Sequence, residues 1–180
     1  LIGHPFLAFH VSGGTTEAVR VEPEEEKLLR AKIVAQSLDL KGGQAVDRVG
    51  LMLGLRFPAG RELENLALNS GRKFSVKPPM KGHDCSLSGI ENRCARMLED
   101  GAPPEDIARY CLDFLTAALD AMCSSLLKEY GNLPVLFAGG VMSNTIIRHV
   151  LETKYGAYFA EPEFSADNAA GIAVLAALTE

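Results

Sequence analysis

Three glycine-rich stretches carry the residues of this chain that could grip a substrate. "HVSGGTTEAV" sets Ser12, Gly13 and Gly14, followed by two threonines, behind an extended run that ends at Val11. "FAGGVMSN" ends a buried apolar run at Gly139 and Gly140 and opens a helix at Ser143 or Asn144. Between them, "GGQAVDRVGLMLG" spaces Gly43, Asp47, Gly50 and Gly54 at intervals of four, three and four, so Asp47 stands in a helix stripe otherwise without side chains. Something must approach that stripe closely. Bare N–H groups at tight turns and helix N-termini can receive anions or ribosyl hydroxyls. Alone, each Gly-Gly is more often a turn that needs positive φ. Together the three describe a nucleotide cradle, with phosphates at the first turn, ribose at Asp47 and the base between glycine-lined helix ends.

Other candidates are weaker. Asp167, near the start of the last predicted helix, either complements the helix dipole or binds a hydrated cation beside phosphates, and one carboxylate is not a metal site. His4, His10, His83 and His149 lack any zinc spacing; His10 reads as a strand residue and His149 as helix surface. Ser88 in "CSLSGIENR" has no base near it in sequence and reads as a helix N-cap. No activated nucleophile is apparent, so no catalytic side chain is assigned.

The elements that must position these residues follow from periodicity. Strands are predicted at residues 5–11 and 17–21, with a third at 32–40. Helices are predicted from Gly42, over 61–69 and over 88–100, with a Pro/Lys-rich surface loop at 71–84. The longest helix starts at Pro103 and Pro104 and ends before Gly131, with Ile107, Cys111, Leu115, Leu119, Met122, Leu126 and Tyr130 stepping by three or four. The last third alternates: strand "LPVLFAGG", helix "SNTIIRHVLETKYG", strand "AYFAEP", helix "SADNAAGIAVLAALTE". Single helices between strands imply parallel pairing, whereas the opening hairpin must join antiparallel. An α/β fold is expected, with a mixed sheet of about five strands and helices on both faces.

Composition narrows the function. At 180 residues and 47% hydrophobic content, the chain can bury a core, as one domain or one with a small insertion. A net charge of −5, with its acidic excess in "EPEEEK" read as a solvated loop, argues against a strong grip on nucleic acid by this chain alone. Cys85, Cys94, Cys111 and Cys123 show neither knuckle nor dithiol spacing, which fits a reducing cytoplasm. No signal peptide and no bilayer-length apolar run is evident, so no membrane association is expected. The opening on Leu1, without Met, suggests a piece of a longer polypeptide.

Five motifs in order, "HVSGGTTEAV", "GGQAVDRVGLMLGLRFPAGRELENLA", "DCSLSGIENR", "FAGGVMSNTIIR" and "SADNAAGIAVLAA", resemble the successive signatures of the TsaD/Gcp family over nearly the whole chain. That family was first described as O-sialoglycoprotein endopeptidase, or glycoprotease, and is understood as the tRNA threonylcarbamoyladenosine transferase with the actin/Hsp70/sugar-kinase (ASKHA) fold. The resemblance implies an acyl-adenylate held by Val11, Ser12, Gly13 and Gly14, a ribose contact at Asp47, and nucleotide contacts at Gly60 in "FPAG" and at Asn144, beside Gly139 and Gly140. It implies a metal ligand at Asp167.

The same resemblance implies a C-terminal lobe spanning 1–180, with a helical insertion at about 61–102. The N-terminal lobe, with the His-x-x-x-His that completes the metal site, would lie outside this chain. The expected cofactors are a divalent metal, iron or zinc, or Mg²⁺ with nucleotide, and ATP or threonylcarbamoyl-adenylate. The expected partners are tRNA, the accessory proteins of the threonylcarbamoylation complex, and a homodimer or heterodimer through ASKHA lobes.

This chain departs from the pattern at Thr15, where the family has His or Asn, and at Leu40, where an acidic pair is reduced to Asp39 alone. Two alternatives therefore stay open beside the transferase: a metal-dependent glycoprotease, and a non-catalytic nucleotide-binding or scaffold paralogue.

Overall fold

A computed structural model of the chain describes residues 3–25, 28–161 and 177. The expected helix over 165–180, Asp167 included, lies outside the described residues, apart from Ala177.

The sheet is built outward from β1 (Phe6–Val11), whose alternation buries Leu7, Phe9 and Val11 and exposes His10. It pairs antiparallel with β2 (Thr16–Glu24), which pairs antiparallel with β3 (Leu28–Gln36). On its other side β1 pairs parallel with β6 (Val135–Ala138), and β6 with β7 (Tyr158–Phe159). The order β3-β2-β1-β6-β7 is the mixed five-stranded sheet expected from the sequence. Phe9, Phe137 and Phe159 stack across the three parallel strands at 4.7 and 5.3 Å.

Two expectations shift. The acidic run expected as a loop is half strand, because Glu22 and Glu24 face Arg30 and Leu28 in the β2–β3 ladder, and Arg20 pairs with Glu22 at 2.6 Å. Inside the expected surface loop lies a short hairpin, β4 (Met80–Lys81) and β5 (Asp84–Cys85), turning at Gly82 with φ 62°. That loop is also tied down. Asp106 accepts from Ser70 Oγ at 2.6 Å and Arg72 Nη1 at 3.3 Å, and Asp113 accepts the Phe74 N–H at 2.8 Å.

The helices are α1 (Gly42–Met52), α2 (Gly60–Leu68), α3 (Gly89–Glu99), α4 (Pro104–Tyr130) and α5 (Thr145–Tyr155). The first five of the stepping positions on α4, and Leu126, are fully buried, and the other four helices all pack on this one. Length and composition alone would let α4 cross a bilayer, but here it is the axis of the core. Leu63 and Ala67 of α2, Ile90 and Cys94 of α3, and Leu87 just before α3 join the same core as the sheet.

Candidate nucleotide site

The first turn spends most of its donors on itself. Ser12 N–H donates to Thr15 O at 2.8 Å, while the Ser12 hydroxyl accepts the N–H groups of Gly14 at 3.3 Å and Thr15 at 3.1 Å. The Gly13 N–H has no partner among the described residues. The turn then seats α1: Gly43 N–H donates to Ser12 O at 3.0 Å and Gly42 N–H to Thr16 Oγ1 at 2.8 Å. A Cβ on Gly43 would stand 2.6 Å from Gly13 N, and one on Gly50 2.2 Å from Ala59 Cβ. The bare stripe of α1 is therefore approached by the protein's own turn and loop.

Asp47 lies between those two approaches. Its Oδ1 accepts the Ala59 N–H at 2.8 Å, holding the loop that carries the cis Phe57–Pro58 bond, and its Oδ2 has no partner among the described residues. Gly60 begins α2 just beyond, with no atom closer than Val46 Cγ1 at 4.0 Å from a built Cβ.

The second glycine turn divides its labour. Gly139, at φ 101°, would drive a Cβ to 2.3 Å from Val11 O, so the end of β1 excludes any side chain there; Gly140 meets nothing within 4 Å. The helix N-terminus beyond is less bare than the sequence suggests. Asn144 Oδ1 accepts the Ile147 N–H at 3.1 Å, and Glu64 of α2 accepts both the N–H of Thr145, at 2.7 Å, and its hydroxyl. A protein carboxylate already occupies that anion position.

Gly13, Asp47, Gly60, Gly140 and Asn144 all line one cleft of about 680 Å³, together with Gly43, Arg61, Glu64 and Ser143. Val11, Ser12, Gly14 and Gly139 do not line it: Val11 is fully buried, Ser12 closes the turn, Gly139 abuts the end of β1, and Gly14 is exposed in the turn. The sequence reading missed Glu64. Its signal was the spacing from Gly60, because four residues along a helix return to the same face.

Asp39 also has an unforeseen role. Its carboxylate accepts the N–H groups of Leu40 at 2.6 Å, Leu87 at 2.7 Å and Ser88 at 3.3 Å, and the Ser88 hydroxyl at 2.7 Å. Ser88, expected as an N-cap, makes no side-chain cap bond and donates to Asp39 instead. Burial alone would raise the Asp39 pKa; the Ser88 hydroxyl and the three N–H donors outweigh it and hold the carboxyl below its usual value.

His83, in the β4–β5 turn, bridges Ser125 Oγ and Glu129 Oε2. This Ser–His–Glu set is not nucleophilic machinery: Ser125 sits within α4, where the main-chain donors are spent on the helix, and it fastens the hairpin. All four thiols are buried, which pushes Cys85 up to about 11 and Cys94 and Cys123 to about 12. Among the described residues no three His, Cys, Asp or Glu side chains gather to hold a metal, and the expected ligand Asp167 lies outside them.

Comparison with solved structures places the fold. The chain is similar to HypF from T. kodakarensis, with a TM-score of 0.66 and 14% identity over 87% of this chain and 31% of that one. It is also similar to the activator of 2-hydroxyisocaproyl-CoA dehydratase from Clostridium difficile with bound ADPNP, with a TM-score of 0.53 and 17% identity over 90% of this chain and 56% of that one. The shared feature is the mixed α/β lobe of ASKHA type.

In sequence, the tRNA N6-adenosine threonylcarbamoyltransferases of Francisella tularensis subsp. holarctica and Francisella philomiragia are each 31% identical to the chain in alignments 191 positions long, gaps counted, that cover 98% of it. The same alignments cover 56% of each relative, so the chain spans about half the length of the curated relatives it matches. The family model described as TsaD, tRNA N6-adenosine threonylcarbamoyltransferase, matches residues 2–174. With that match running through all three glycine-rich stretches, the chain belongs to the TsaD family.

Proposed function

We propose that this chain is the C-terminal lobe of an enzyme that transfers a threonylcarbamoyl group from threonylcarbamoyl-adenylate to the exocyclic amine of the tRNA adenosine next to the anticodon. The observation that supports it is the gathering of Gly13, Asp47, Gly60, Gly140 and Asn144 on one cleft. In this reading the open oxygen of Asp47 accepts a ribose hydroxyl, and Gly140 leaves room for the nucleotide to lie against the main chain. The Gly13 N–H faces the acyl-phosphate end, where charge grows on oxygen as the amine attacks and the adenylate leaves. Fixed donors aimed at that oxygen favour the transition state over the ground state. Asp167 remains the metal ligand proposed for this chain. Accessory proteins of the modification complex, and pairing with a second ASKHA lobe, belong to the same proposal.

Leu40 favours a second reading. It is 7% exposed and part of the core, so the position where the family keeps a second carboxylate is apolar here. A nucleotide-binding paralogue without transfer activity fits that replacement. One experiment separates the two. The full-length protein is titrated with a non-hydrolysable threonylcarbamoyl-adenylate analogue and, with its accessory proteins, assayed for modified adenosine in tRNA. Binding with modification carries the transferase; binding without modification carries the paralogue; no binding, with Asp47→Ala indistinguishable from the parent, overturns both.

A further inference from the structure

We propose that Phe57, next in the chain to the cleft-lining Pro58, is a stacking platform for an unpaired base of the RNA substrate; this rests on the tRNA reading above. Phe57 is 72% exposed, the largest exposure among the large hydrophobic side chains described, and its neighbour Pro58 lines the cleft. An aromatic ring left in water costs stability unless another partner covers it, and the loop holds it firmly. Leu55 N–H donates to Gly50 O at 2.9 Å on one side, and Ala59 N–H to Asp47 Oδ1 at 2.8 Å on the other. The ring is thus presented between two anchored residues, only three positions before the helix start at Gly60.

Two cations flank the ring in sequence. Arg56 and Arg61 flank it in "RFPAGR", neither forms an ion pair among the described salt bridges, and Arg61 lines the cleft. The nearby carboxylates are engaged: Glu62 accepts the Arg56 N–H at 3.5 Å, Glu64 holds Thr145, and Asp47 holds Ala59. Single-stranded RNA is recognised by stacking splayed bases on aromatic rings, with cations on the adjoining phosphates. An adenosine in a loop, brought to a nucleotide cleft for acylation, leaves its unpaired neighbours outside it, within reach of an exposed ring whose neighbour Pro58 lines the cleft. Two arginines beside three acids leave no net positive charge around the ring, so stacking, not charge, must carry the binding.

The test uses the full-length protein and two RNA probes of equal length, a stem with an adenosine-containing unpaired loop and a fully paired hairpin stem. Phe57→Ala is expected to weaken the loop probe by about tenfold. Phe57→Trp is expected to bind it as the parent does, and the added fluorescence, measured as the difference from the parent, is quenched by the looped probe and not by the paired one. Arg61→Ala should lose affinity mainly at low salt, whereas the Phe57 effect persists at high salt. Unchanged affinity of Phe57→Ala, equal quenching by both probes, or quenching produced only by an accessory protein overturns the proposal. Because adenylate-analogue binding is read separately, failure here is distinguishable from failure of the nucleotide reading.

Discussion

Asp47 and Ala59 are joined by a 2.8 Å hydrogen bond from the Ala59 N–H to Asp47 Oδ1, which ties α1 to the turn that opens α2. One carboxylate therefore has two duties, a structural one on Oδ1 and a ligand-facing one on Oδ2. Asp47→Asn can keep the first and alters the second. Its unfolding midpoint should stay close to the parent's while nucleotide affinity falls. Asp47→Ala loses both, at about 1–2 kcal/mol of stability for the orphaned Ala59 donor. Thermal unfolding beside calorimetric nucleotide titration of the two variants checks the split.

The glycines divide the same way. Gly50→Ala would place a methyl 2.2 Å from Ala59 Cβ, and the backbone contact must open to admit it, at about 1–3 kcal/mol. Gly140→Ala meets nothing within 4 Å, so it should fold like the parent and lose nucleotide affinity by filling the cleft. Denaturant unfolding and ligand titration on both variants give opposite patterns.

What was legible in the sequence was whatever repeats locally. The stepping of Ile107 through Leu126 located the core helix, and the alternation at Leu7, Phe9 and Val11 located the central strand. The convergence of Gly13 and Gly140 was legible too, because they follow β1 and β6, parallel strands of one sheet whose ends meet at one edge; Asp47 joins them from α1, which the Gly13 turn seats. Long-range partners were not. Ser88 reads as a cap until Asp39, 49 residues earlier, takes its hydroxyl. Glu64 was missed because its partner, Thr145, lies 81 residues later. The 71–84 loop reads as solvated because its anchors, Asp106 and Asp113, lie on a helix yet to come.

Asp39 sets an acid dependence. Its pKa is held below the ordinary carboxylate value in the folded chain, so its contribution is complete above the unfolded value near about 4 and is lost as pH falls through the lower folded one. Asp39→Asn should be less stable than the parent at pH 7, and the gap should narrow in strongly acidic buffer. Urea midpoints at pH 7 and about pH 3 measure the two ends; a gap that widens on acidification contradicts the assignment.

The four thiols should be inert while the chain is folded. Burial raises each of them, Cys85 to about 11 and Cys94 and Cys123 to about 12, so at pH 8 almost no thiolate is present and none is accessible. Labelling with a thiol-specific chromogenic disulfide at pH 8 should report none of these cysteines in buffer and all of them in denaturant.

Glu64 joins the two walls of the cleft. Its carboxylate on α2 receives both donors of Thr145 at the start of α5, so the distance between those helices is fixed by one side chain. Hydrogen bonds to a charged acceptor are stronger than neutral ones, and Glu64→Ala should cost about 1–3 kcal/mol. Glu64→Gln retains an acceptor oxygen without the charge that favours the helix N-terminus, and should recover part of that loss. Thr145→Val should destabilise the parent but add little to Glu64→Ala, since each variant breaks the same clasp. A double-mutant cycle on unfolding free energies measures that coupling directly, and additive losses would show that the two walls are held by something other than this pair.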